Sequence, residues 1–265
     1  MDQIECVSSD GVHVQATITG EGRPLILLPG GIDYEGTGWN KVVPLLARRG
    51  YAVVRFVRRF YRPELGDPFQ WKMADEARDV AAVAQALGDR VNLVGHSSGG
   101  VLTLECLLAH PARYGAAVVF EAPIAYAGPL GGEQLASARQ ALDAGRPAKA
   151  MIIFFRDVVG MPLLPSWLSA RGLAAYPQFR ARIPGQLADL AAIDAVGDHR
   201  DGYRTIAHPI LGIMGTKSPA HLGERMQALL AVLPNAESWS VKGGHAAQQR
   251  RPNEFADRIS QFLRR

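Results

Sequence analysis

The stretch Val91-Asn92-Leu93-Val94-Gly95-His96-Ser97-Ser98-Gly99-Gly100-Val101 decides how this chain folds. Its first four residues form a short apolar run of the kind found in strands covered on both faces. From Val101 to Leu108 the residues are almost all apolar and read as a helix. Between them lies Gly95-His96-Ser97-Ser98-Gly99, a G-x-S-x-G sequence. Alone it says little, because Gly and Ser are common. Between a buried strand and an apolar helix it predicts a sharp, strained turn that lifts one hydroxyl clear of the sheet. Side chains at the two flanking positions would clash, which accounts for Gly95 and Gly99. Ser97 is therefore the candidate nucleophile. The helix after it brings backbone N–H groups and a positive dipole end close to that hydroxyl.

The same alternation extends outward in both directions. Val12, Val14, Ala16 and Ile18 alternate with polar residues, the pattern of a half-buried strand. Leu25 to Leu28, Tyr51 to Val57 and Ala116 to Phe120 read as further strands. Trp39 to Arg49 and Met73 to Leu87 read as helices between them. Alternating strand and helix predicts an α/β fold with a mostly parallel sheet and helices on both faces. From about 126 to 205 the alternation stops. Helical pieces broken by Gly and Pro take its place: Glu133 to Ala144, Ala148 to Val159, Trp167 to Ala174 and Phe179 to Ala192. The pattern resumes with a strand at Ile210 to Met214, a helix at Leu222 to Leu233, a strand at Glu237 to Val241 and a helix at Pro252 to Leu263. Residues 1–125 and 206–265 are thus expected to form the core, and 126–205 an inserted helical lid.

Composition excludes several classes. The chain has 265 residues, 48% hydrophobic and 20% charged, which suits an ordinary globular fold. Two cysteines, Cys6 and Cys106, cannot build a disulfide scaffold or a zinc cluster. The start of the chain is acidic where a signal peptide would be basic, and no apolar run is long enough to cross a membrane. A cytoplasmic protein with no membrane partner is expected. The formal charge is +4, but the basic residues are dispersed. The densest cluster, Arg55, Arg58, Arg59 and Arg62, reads as a solvated face, and nucleic-acid binding is not expected.

A serine hydroxyl needs a base to take its proton. His245 is best placed of the seven histidines. It follows the last strand, and loops at the carboxyl ends of parallel strands converge on one crevice. His96 is expected to point away from Ser97. His199, His208 and His221 show no ligand spacing, so neither a metal nor another cofactor is expected. The third group should be a carboxylate that fixes the imidazole tautomer. After the strand ending at Met214 the sequence is Gly215-Thr216-Lys217-Ser218-Pro219, with no acid, and Glu224 falls inside the next helix. Glu121 instead ends the strand beside the serine's own. A charge ending an apolar strand needs a partner, which makes Glu121 the candidate acid. Backbone N–H groups of Ser98 and Gly31 are the candidate oxyanion donors.

With these residues in place the chain resembles the α/β-hydrolase superfamily over nearly its whole length. The resemblance is carried by Leu-Leu-Pro-Gly-Gly at 27 to 31, the turn at 95 to 99, Phe-Glu-Ala-Pro at 120 to 123 and Gly-Gly-His at 243 to 245. It implies an α/β-hydrolase fold with an eight-stranded sheet. Within that superfamily the chain is similar to the zearalenone-lactonase group. Those enzymes use a glutamate after the sixth strand and carry Ser-Pro or Thr-Pro where others have aspartate. His96 departs from that group, which has Cys in the turn. The resemblance implies hydrolysis of an ester or lactone of a small apolar substrate through Ser97, His245 and Glu121. The apolar lid is expected to supply substrate contacts, with Trp167, Phe155 and Met161 joined by Ile32 of the early loop. The rivals are a carboxylesterase, a thioesterase or other chemistry with the same turn, and a catalytically silent binding protein. Self-association into a homodimer is compatible with this reading.

Overall fold

The predicted strands pair into a single sheet in the computed structural model, which describes residues 2–33, 35–88 and 90–265. Eight strands lie in the order β1-β2-β4-β3-β5-β6-β7-β8. They are β1 (Asp2–Val7), β2 (His13–Thr19), β3 (Arg23–Leu28), β4 (Tyr51–Phe56), β5 (Val91–His96), β6 (Tyr114–Phe120), β7 (Ile210–Gly215) and β8 (Ala236–Val241). From β4 to β8 the pairing is parallel, whereas β1 and β2 form an antiparallel edge. β1 is an addition to the sequence reading. It is a half-exposed edge strand, and its alternation is too shallow to stand out.

Register explains why distant residues meet. Leu28 pairs with Gly95, His96 with Phe120, Phe120 with Ile213, and Gly215 with Val241. The carboxyl ends of five strands are therefore level. Whatever follows each of them faces one crevice.

Helices cover both faces. One face packs against α2 (Met73–Leu87) and α3 (Ser98–Ala109). The other packs against α1 (Val43–Ala47) and the last helix (Pro252–Leu263), whose Phe255, Ile259 and Phe262 are buried. The helix expected from Trp39 to Arg49 is shorter. Pro44 lacks an N–H and sits at the start of α1, so the helix cannot extend back through it.

Between β6 and β7 the chain is helical: α4 (Gly132–Asp143), α5 (Pro147–Ile153), a π-helical turn Phe154–Val158, α6 (Leu163–Ala175), α7 (Pro177–Arg180), α8 (Ile183–Val196) and α9 (Arg200–Tyr203). The insertion has small apolar clusters of its own, one of them Ala138, Ala141, Ala150 and Leu187. Helix α8 also enters the main core through Ala188, Ala192 and Ile193. No helix among the described residues is long and apolar enough to cross a membrane.

The basic cluster is not a solvated face. Arg58 and Arg59 are each 1% exposed. Arg58 is held by Glu76 of α2 at 2.9 Å and Asp189 of α8 at 2.8 Å, so it clamps the insertion to the core. Arg59 bonds Asp79 of α2 at 2.9 Å and Asp10 of the β1–β2 turn at 2.6 Å. Burial pushes the Asp79 carboxyl up, and Arg59 opposes that push. Arg59→Met would leave a buried, unpaired carboxylate, which costs on the order of 3–5 kcal/mol. Urea unfolding should show that loss with an unchanged m-value; a change under half a kilocalorie would contradict the pairing.

Candidate active site

The turn at Ser97 is strained in the way its sequence requires. Ser97 has φ 54° and ψ −127°, with its N–H donating to the Phe120 carbonyl at 2.9 Å. A β-carbon at Gly95 would lie 2.4 Å from the Gly99 carbonyl oxygen. One at Gly99 would lie 2.1 Å from the Leu28 carbonyl oxygen. Gly95 therefore lets the turn close on itself, and Gly99 lets the end of β3 approach it.

Glu121 follows β6 with φ 47° and is fully buried. Its N–H continues the sheet by donating to Ile213 at 3.1 Å. Both carboxylate oxygens are used. Oε1 accepts from the Gly215 N–H at 2.7 Å, and Oε2 lies 2.6 Å from His245 Nδ1. A carboxylate accepts only, so Nδ1 carries a proton, and in the neutral ring Nε2 is the nitrogen with the free lone pair. The place where the sequence lacks an acid is held by Ser218, whose buried Oγ has no partner among the described residues.

His96 does more than point away. Its ring stacks on Phe120 at 4.7 Å and lies 4.6 Å from the His245 ring. Its Nε2 bonds the His245 carbonyl at 2.8 Å, which makes Nε2 the donor. Burial above all holds the His96 pKa well below the ordinary value, and a proton on the neighbouring His245 ring would push it the same way. His96 is thus a neutral prop under the loop that carries His245. The sequence offered one signal for it, an extra imidazole inside the turn.

Ser97, Ser98, Gly31 and His245 line one narrow cavity with about 50 Å³ of free space. No hydrogen bond joins Ser97 Oγ to His245 among the described residues; such contacts often tighten only with substrate bound. The wall comes from the insertion and the segments beside it: Phe154, Val158, Leu190 and Ile193, with Pro123, Gln186 and His221. Here the sequence reading needs correction. Trp167, Phe155, Met161 and Ile32 do not line this cavity. Phe154, Val158 and Val159 line it, whereas Phe155 packs against the cluster of Met151, Ala170 and Ile183, which Phe154 also touches. Trp167 is 40% exposed on an apolar face of α6. Gly31 is in place, but its N–H donates to Ser98 Oγ at 2.9 Å.

Fold and site together define a class. The chain belongs to the alpha/beta hydrolase family, whose sequence model matches residues 25–258. Among individual proteins it is 28% identical to homoserine O-acetyltransferase of Deinococcus radiodurans over 71% of this chain. It spans less than two thirds of that relative's length, 63%. Esterase RhEst1 of Rhodococcus sp. ECU1013 superposes with a TM-score of 0.71 at 26% identity, covering 99% of this chain and 98% of the other. An alpha/beta hydrolase of Sphaerobacter thermophilus superposes with a TM-score of 0.76 at 23% identity, covering 98% and 99%.

The neutral His96 gives a pH signature. The unfolded chain takes up a proton on this residue below about pH 6.5, and the folded chain does not. The His96 contribution is therefore complete above pH 6.5 and is lost as pH falls below it, by at most about 1.4 kcal/mol per pH unit. Urea unfolding from pH 7 to 5 should show a shallower slope in His96→Phe than in the parent; equal slopes would contradict a neutral His96.

Proposed function

We propose that this chain hydrolyses carboxylic esters, linear or cyclic, by acyl transfer through Ser97. One observation carries the reading. A buried carboxylate fixes the tautomer of an imidazole in the same cavity as a serine on a strained turn. In this mechanism His245 Nε2 takes the Ser97 proton as Oγ attacks the carbonyl. The Ser98 N–H, first of α3 and without an intrahelical acceptor, meets the developing oxyanion. His245 then protonates the leaving alkoxide and activates water for deacylation, while Glu121 stays ionised.

The relatives named an esterase and an O-acetyltransferase both act on acyl groups, in line with this reading. The finer reading is an apolar lactone of the zearalenone type. Its support is Glu121 after β6, the sixth strand in chain order, and Ser218-Pro219 after β7. Cavities for molecules of that size usually span about 300–1,000 Å³, far above the free space here. A macrolactone would enter only if the wall of Phe154, Val158, Leu190 and Ile193 moved outward. A small acyl group needs the least such movement, so short esters are the preferred substrates.

A panel of p-nitrophenyl acetate, hexanoate and decanoate beside zearalenone tests this. Acetate should be cleaved fastest. Ser97→Ala and His245→Ala should each lose about 10³-fold or more in kcat, and Glu121→Gln about 10²–10⁴-fold, with native circular dichroism. Full activity in Ser97→Ala would end the proposal. Zearalenone turned over faster than acetate would reverse the size preference while leaving the mechanism standing.

A further inference from the structure

Ser98 carries a second feature beyond its backbone N–H. Its Oγ accepts from the Gly31 N–H at 2.9 Å and from Arg58 Nη1 at 2.7 Å. A hydroxyl has two lone pairs and one proton. Both lone pairs are taken, so the proton is all it has left to give. No acceptor takes that proton among the described residues, and Ser98 lines the cavity beside Ser97. The cation behind it strengthens the donor, because hydrogen bonds in a dry, low-dielectric site polarise one another. Arg58 cannot swing away. It is fully buried, and its Nη1 also reaches the Pro29 carbonyl at 3.3 Å and Asp189 at 3.1 Å.

We propose that the Ser98 side chain is a catalytic hydrogen-bond donor, giving its proton to the substrate oxygen that becomes negative when Ser97 attacks. This rests on the serine-hydrolase reading above. Arg58 is the positioning residue behind it, and the Gly31 N–H acts through Ser98 instead of touching the oxyanion itself. No bond is made or broken by Ser98. Its hydrogen bond strengthens as charge builds on the oxygen, so its effect belongs to the transition state. The same arginine holds Asp189 of α8. Placement of the insertion and alignment of this donor are thereby linked.

The test compares the parent, Ser98→Ala, Ser98→Thr and Ser97→Ala on p-nitrophenyl acetate. A short-chain alkyl trifluoromethyl ketone serves as a second probe, because its adduct with a serine carries an oxyanion. Ser98→Ala should lose about 10²-fold in kcat with KM within about 3-fold, and bind the ketone correspondingly more weakly. Ser98→Thr keeps the hydroxyl and should recover at least ten-fold over the alanine variant. A purely structural role for Ser98 would not divide kcat from KM in this way. A parent-like kcat and ketone affinity in Ser98→Ala overturns the proposal and returns the role to the Gly31 N–H. Ser98→Thr no better than Ser98→Ala also overturns it. With Ser97→Ala inactive in either case, the serine-hydrolase reading survives. If Ser97→Ala keeps full activity, both fall together.

Discussion

The arrangement depends on one buried carboxylate. Glu121 sits where solvent cannot reach it, and an ionised carboxylate there is stable only with its oxygens matched. The two matches come from two different strand ends, the Gly215 N–H at the end of β7 and His245 Nδ1 in the loop after β8. A single side chain thus joins the ends of three parallel segments. The left-handed backbone at Glu121 is unfavourable for that residue and is held by its N–H to Ile213. With the imidazole anchored from β6, an acid after β7 has no task, and Ser218 stands there without consequence.

A second buried charge sets the other side of the crevice. Arg58 draws together α2, α8, the loop after β3 and the start of α3. Replacing such a cluster by apolar residues need not cost stability, but removing one member strands the rest. Close backbone approach reinforces the join. A β-carbon at Gly185 of α8 would lie 2.0 Å from the Phe60 carbonyl oxygen. Helix α8 is therefore the fixed part of the insertion, while α6 carries exposed Leu163, Leu164, Trp167 and Leu168.

The frame of the fold and the placement of the three candidate site residues are legible in the sequence because both depend on strand ends. Apolar runs of four to seven residues locate the strands, and the residue after each run is at the crevice by topology alone. Glu121 follows its run directly, Ser97 follows β5, and His245 lies four residues beyond the end of β8. Other features depend on contacts that no local pattern records. Four arginines within eight residues look like a wet surface. Arg58 is dry only because Glu76 and Asp189, 18 and 131 residues away, arrive at its guanidinium. His96 becomes a prop only once a carbonyl 149 residues later lies over it. The cavity wall was missed for a different reason. The insertion is apolar on several sides, so composition does not tell Phe154 from Phe155, and only the packing of the folded insertion does.

The central claim is that Glu121 makes His245 a base for Ser97. Reaction with a fluorophosphonate, followed by peptide mapping and by labelling rates, addresses it without knowledge of the natural substrate. The account predicts a single adduct on Ser97 in the parent and labelling slowed at least about a hundred-fold in Glu121→Ala. An adduct at another residue, or equal rates with and without the Glu121 carboxylate, would contradict it.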